Sequence, residues 1–168
     1  MAARDVRKNI NLFLDGKGYA GQVEEFNAPE LTQKLEEWRG GGMLGGIELS
    51  MGLEVLKASW SLVGYSKDAL ALFGVSEGAK LPFVAREALE SFDGTVTAVA
   101  HTMRGKVTSL KPGTSKPGEL APLQMEASLV YYKLTHGGSV VHEIDVENSV
   151  YILNGVDQLA AQRQALGI

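Results

Sequence analysis

Apolar residues recur at every second position through much of this chain, the period of a strand with one face buried. In "INLFLDGKGYAGQVEEF", Ile10, Leu12 and Leu14 alternate, and Asp15-Gly16 through Gly18 supply turn chemistry, which predicts a first hairpin. "FVAREALESFDGTVTAVAHTMRG" predicts another, turning at Asp93-Gly94, with Val96 and Val99 on the return strand. Lys111 to Pro122, "KPGTSKPGELAP", is a loop, because Pro and Gly block both regular structures there. "YYKLTHGGSVVHEID" (131–145) predicts a third hairpin turning through "HGG", and "VENSVYILNG" follows as a further short apolar run.

Two segments carry helical spacing. In "SKDALALFGV", Ser66 can cap, Asp68 suits the positive end and Gly74 can stop a short helix. In "VDQLAAQRQALGI", Leu159, Arg163 and Leu166 share a face and Gly167 follows. "NAPELTQKLEEWRGGG" is ambiguous. Asn27 could cap a helix with Leu31, Leu35 and Trp38 on one side. The same letters form a polar strand with Thr32, Lys34, Glu36 and Trp38 on one face and Leu31, Gln33 and Leu35 on the other.

Composition narrows the class. With 168 residues, 45% of them apolar, the chain suits one domain over 1–168 with a real core. Twenty glycines and five prolines are spread along it and punctuate short runs, as in a mainly β domain with many turns. Absence of cysteine removes disulfides, thiolate metal sites and cysteine nucleophiles. A net charge of −4 does not fit a basic nucleic-acid binder. No apolar run is long enough to cross a bilayer, and "MAARDVRKNINLFLDGKG" lacks the hydrophobic core of a signal peptide, so a soluble, unprocessed chain is expected.

The chemical leads are thin. If "HGG" turns tightly, strict alternation puts Tyr131 and Lys133 on one face with Val140, His142 and Ile144. Val130, Tyr132 and Leu134 then share the other with Val141, Glu143 and Asp145. His142 would sit near Lys133 and away from the acids, which is no metal or acid–base site. "WRGGGMLGG" (38–46) has GxGxxG spacing but no strand–loop–helix setting, and it lacks the Lys-Ser/Thr of a phosphate loop. Its glycines fit a mobile or tightly turning loop with Met43 and Leu44 as apolar tips, a docking element. His101 lies on a strand pattern and reads as a structural histidine, and no serine sits in a GxSxG elbow. No enzyme, cofactor or metal is expected.

Four blocks, "LTQKLEEWRGGGM" (31–43), "MGLEVLKASWSLVG" (51–64), "YYKLTHGGSVVHEID" (131–145) and "NGVDQLAAQRQALGI" (154–168), stand in one order and spacing. In them the chain resembles the major tail tube proteins of contractile-tailed bacteriophages, the family that includes R-type pyocin tube proteins. The resemblance implies a mainly β, single-domain β-barrel or sandwich with a flanking short helix. It also implies a long protruding hairpin at about 31–63 and an arm at about 154–168 with a short C-terminal helix. It makes the ambiguous segment extended rather than helical.

The implied function is self-assembly into stacked hexameric rings, the inner tube of a contractile tail. Implied partners are other copies of the chain, a sheath, and tape measure, baseplate and tail terminator proteins. DNA is met only in transit, there is no membrane anchor, and the implied location is the virion tail or a pyocin-like particle. Arg39, Gly41, Gly42, Met43 and Leu44 are expected to stack one ring on the next. Asn154, Gly155, Asp157 and Arg163 match the C-terminal motif as structural or interface residues; an ordinary turn and a solvated helix charge are the plainer alternative. A conduit must not hold phosphates, so Glu143, Asp145 and Glu147, read as one strand face, are candidate lumen acids. A type VI secretion-like tube and a monomeric β-barrel binding a small ligand are the competing functions.

Overall fold

A computed structural model describes residues 3–168; Met1 and Ala2, the start of the expected 1–168 domain, lie outside the described residues. Strand β1 (Val6–Leu14) turns through Asp15-Gly16 into β2 (Lys17–Gly18). Both turn residues have positive φ, 49° and 79°, as a two-residue hairpin turn with the strands' own twist requires. Next come β3 (Val23–Asn27), β4 (Gln33–Trp38), β5 (Ile47–Leu53) and β6 (Leu56–Leu62). Helix α1 (Lys67–Leu70) leads to β7 (Leu81–Glu90) and β8 (Val96–Lys111). The chain then forms β9 (Leu123–His136), β10 (Ser139–Asp145), β11 (Val150–Leu153), β12 (Val156–Asp157) and helix α2 (Ala160–Leu166).

Ten strands make one antiparallel sheet whose main path runs β12-β11-β10-β9-β8-β7-β1-β2. The sheet forks at β9. One edge of that 14-residue strand pairs with β8; the other pairs with β6 through its first half and with β10 through its second. β3 completes the β6 arm of the fork. The sheet wraps around a core drawn from alternate positions, including Leu12 and Leu14, Ala58, Trp60 and Leu62, Phe83, Met103 and Met125. The Trp60 and Phe83 rings meet at a tilt with centroids 5.2 Å apart. Burying each such ring or aliphatic side chain contributes roughly 1.5–3 kcal/mol, which is what curls the sheet. Helix α1 closes one end by burying Ala69 and, just beyond it, Leu72. Ser66 stands at its N-cap position but its side chain makes no capping bond; its carbonyl accepts from the Leu70 N–H instead.

The ambiguous segment is extended. β4 and β5 pair as a separate two-stranded sheet, with Trp38 opposite Ile47 and Glu36 opposite Leu49. They prolong the β3–β6 pair: the Glu54 N–H donates to the Thr32 carbonyl at the bend between them. One bent hairpin therefore runs from Val23 to Leu62: its β3–β6 base belongs to the body sheet, and its β4–β5 end, within the expected 31–63, is the separate ribbon.

The hairpin around "HGG" turns at Gly137-Gly138, but its face assignment is corrected by a β-bulge. Val140 pairs with Thr135 and His142 with Leu134, leaving Val141 as the extra residue. His142 and Ile144 therefore lie with Tyr132 and Leu134, while Glu143 and Asp145 lie with Lys133 and Tyr131. His142 still points away from the acids, as strand alternation demands, but Lys133 is not its neighbour; it faces Glu143.

Candidate assembly surfaces

The β4–β5 hairpin has one apolar face. Because Trp38 pairs with Ile47 and Glu36 with Leu49, alternation puts Trp38, Ile47, Leu49 and Met51 on the same side, with Glu36 beside Leu49. All four stand about half exposed, and every residue of β4 is exposed. The opposite face carries Leu35, Glu37, Glu48 and Ser50. A two-stranded ribbon of this kind gains little stability alone, and its edges carry unpaired backbone groups.

The sequence placed Arg39, Gly41, Gly42, Met43 and Leu44 together, and they form the far tip of this ribbon. The Arg39 Nε–H donates to the Met43 carbonyl at 3.2 Å, and the Met43 N–H donates to the Gly40 carbonyl at 3.3 Å, closing the loop on itself. Leu44 is fully exposed. A methyl group on Gly40 or Gly46 would run into the Trp38 ring or the Glu37 carboxylate, whereas Gly41 and Gly45 face open space.

The C-terminal motif is tied together internally. Asn154-Gly155 is a two-residue turn between β11 and β12, with φ of 48° and 82°. Asp157 accepts the Leu159 N–H at 3.0 Å in the turn just ahead of α2. Arg163 grips both Asp157 carboxylate oxygens and donates to the Ser149 carbonyl at 2.9 Å. The guanidinium holds the Asp157 carboxyl below the usual carboxylate range. Arg163 is therefore the clamp that fixes the arm to the turn before β11, not a solvated helix charge.

Two of the three candidate lumen acids share a strand face. Glu143 accepts a hydrogen bond from the Tyr131 hydroxyl at 2.7 Å, and the Arg104 guanidinium lies 4.1 Å over the same Tyr ring. Burial and the Glu143 carboxylate push the Tyr131 phenol up to about 12. Asp145 accepts from the Asn148 backbone and side chain. Glu147 lies beyond β10, in the turn, where it pairs with Lys80; the expectation of a single three-acid strand face is corrected accordingly.

Two features were missed in the sequence. One is a polar cluster from four strands, buried except for Arg7 at its edge. The His101 Nδ1 lies 3.0 Å from the Tyr132 hydroxyl, its Nε2 lies 3.6 Å from Glu87, and Arg7 reaches Glu87 at 3.3 Å. Burial lowers the His101 pKa, Glu87 counteracting it. The other is an apolar groove of about 740 Å³ at the fork between β6 and β10. Alternation of Ile47, Leu49 and Met51 was a readable signal for the ribbon's apolar face; nothing local marks the cluster or the groove.

Known proteins match this chain along most of its length. The family model described as phage tail tube protein FII matches residues 5–167. The chain belongs to that family. It is 32% identical over 165 residues to the tail tube protein of Escherichia phage P2, covering 96% of each. It is 29% identical over 148 residues to the major tail tube protein of Serratia phage KSP20, covering 87% of this chain and 85% of the relative. In fold it is similar to a chain of the PVC extracellular contractile injection system's sheath-tube complex in the extended state. The TM-score is 0.57 at 9% identity, covering 76% of this chain and 88% of the other. A chain from that system's sheath/tube terminator gives 0.55 at 9% identity, with 76% and 93% covered. Tail tube proteins are structural components of the virion tail, and the family is not one of enzymes. No helix among the described residues is long and apolar enough to cross a membrane.

Proposed function

We propose that this tail tube protein assembles into hexameric rings that stack into the inner tube of a contractile tail, a passive conduit for DNA or a puncturing shaft inside a sheath. The whole chain acts as one unit, and its partners are its own copies, the sheath, and tape measure, baseplate and terminator proteins. The observation that carries this reading is the free-standing ribbon with Trp38, Ile47, Leu49 and Met51 on one exposed face. A monomer gains nothing from such a face, and a polymer buries it against other copies. Ribbon edges that would be a hazard in a monomer become places where a neighbour's strand adds to the sheet. Head-to-tail contacts close the ring, and a second heterologous set repeats along the axis.

Arg39, Gly41, Gly42, Met43 and Leu44 carry the ring-to-ring contact in this scheme. Asn154, Gly155, Asp157 and Arg163 hold the arm in shape for its neighbours. Glu143 and Asp145, which share a face of β10, line the lumen and repel phosphate in transit.

Electron microscopy of the purified chain at rising concentration tests the reading, with a variant lacking Gly40 to Gly46 beside it. Rings and tubes are expected from the parent chain, and a folded monomer from the deletion. A parent chain of concentration-independent monomeric size would favour a ligand-binding barrel instead, and long tubes from the deletion variant would rule out the tip's role.

A further inference from the structure

The fork in the sheet leaves an apolar groove that no side chain among the described residues fills. Where β6 parts from β10, the walls are Leu53, Val55, Val146, Val150, Leu153 and Leu159, and Glu54 and Asp145 stand among the polar groups at its rim. Val55 and Val146 are more than half exposed. The volume, about 740 Å³, is several times that of one side chain and suits a short apolar segment.

The same chain carries a shape that fits. Met43 and Leu44 sit at the end of the ribbon, flanked by Gly40-Gly41-Gly42 and Gly45-Gly46, so the tip is narrow and Leu44 stands free. Arg39 stands at the tip's shoulder, opposite in sign to Glu54 at the rim. The ribbon's seven-residue strand β5 spans roughly 23 Å at the usual rise per residue. Residues Gln33, Ser50, Gly52 and Leu53 at the ribbon's base help form the groove. A tip cannot fold back onto the base of its own ribbon, so any seating is between copies. Leu166 and Ile168 are also exposed, but they follow α2, whose first turn adjoins the groove through Leu159, and they do not project like the ribbon.

We propose that the Met43-Leu44 tip of one copy seats in the β6–β10 fork of the next, with Arg39 meeting Glu54 at the rim. A knob and a socket on different parts of one chain make a heterologous contact, which repeats without limit along an axis. This inference rests on the tube reading above and names the receptor that reading leaves open.

The absence of native cysteine makes cross-linking clean. A chain carrying both Leu44→Cys and Val146→Cys is assembled, oxidised and run on a non-reducing denaturing gel. The expected result is a ladder of covalent multimers well beyond the dimer, collapsing on reduction, with neither single variant giving a ladder. Tubes without a ladder would overturn the socket alone. Dimers from Leu44→Cys by itself would place tip against tip and also overturn it. No rings or tubes from the parent chain would sink the tube reading and the socket together. A second readout uses Gly45→Ala, whose added methyl meets nothing in the monomer. Its unfolding temperature should be unchanged, while the concentration needed for tubes rises at least tenfold. Tubes at the parent concentration would mean that the tip is not enclosed.

Discussion

Trp38 and Ile47 lie directly across from one another on the ribbon, and each leaves about half its surface in solvent, 52% and 46%. Cross-strand apolar pairs normally stabilise a sheet by covering one another against a core. This pair has no core beneath it in the monomer, so its contribution belongs to assembly. Trp38→Ala should leave circular dichroism and the unfolding temperature of the monomer nearly unchanged. Loss of a buried aromatic anchor at an interface costs about 2 kcal/mol or more, which is on the order of a thirtyfold rise in the concentration needed for tubes. Sedimentation velocity across a dilution series reads that shift. Assembly at the parent concentration would show that this face stays wet in the tube.

Gly105 marks a different kind of constraint, inside the body. β8 and β9 shift register between Arg104 and Gly105, and a methyl at Gly105 would sit 2.0 Å from the Ser128 carbonyl oxygen. The obstacle is backbone, which cannot rotate away. Gly105→Ala should therefore destabilise the monomer by roughly 1–3 kcal/mol, the usual range for forced overpacking. Denaturant titration measures it, and an unchanged midpoint would mean the two strands can part locally at little cost.

How much of this was readable in the sequence depends on whether the cause is local. Asp15-Gly16 and Asn154-Gly155 announce their turns because left-handed backbone needs those residues. The strand β4 did not announce itself, since Leu31, Leu35 and Trp38 fit a helix and the ribbon buries no face within its own chain; resemblance to a family supplied it. The bulge at Val141 was invisible because it is a property of the β9–β10 pairing, and strict alternation therefore seated Lys133 beside the wrong residue. Glu87 and His101 meet through the β7–β8 register, which spacing from the turn alone does not fix, and the walls of the fork meet only once β6 and β10 have paired with β9.

Arg163 gives a local prediction. Its guanidinium joins Asp157 to the Ser149 carbonyl across the end of the sheet, while the core is built elsewhere. Arg163→Ala should free α2 and β12 without melting the body. Hydrogen exchange is expected to speed up from Val156 to Ile168 and stay slow in β8 and β9. Unchanged protection in the arm would show that the clamp is dispensable.

The buried cluster makes stability depend on pH. Burial holds His101 neutral and lowers its pKa from the ordinary value of 6.5, against the pull of Glu87. The groups facing it are Glu87 on β7, the Tyr132 hydroxyl on β9 and, through Glu87, Arg7 on β1. Above pH 6.5 the histidine is neutral folded or unfolded and costs nothing. As pH falls below 6.5 the unfolded chain takes up a proton that the folded chain refuses. Stability is therefore lost progressively down to the depressed folded pKa and then levels. His101→Gln removes that titration while keeping a polar group within reach of Tyr132. Its unfolding temperature should vary less between pH 7 and pH 5 than that of the parent chain, whatever the absolute cost of the substitution. Equal slopes in the two proteins would assign the acid sensitivity to carboxylates alone.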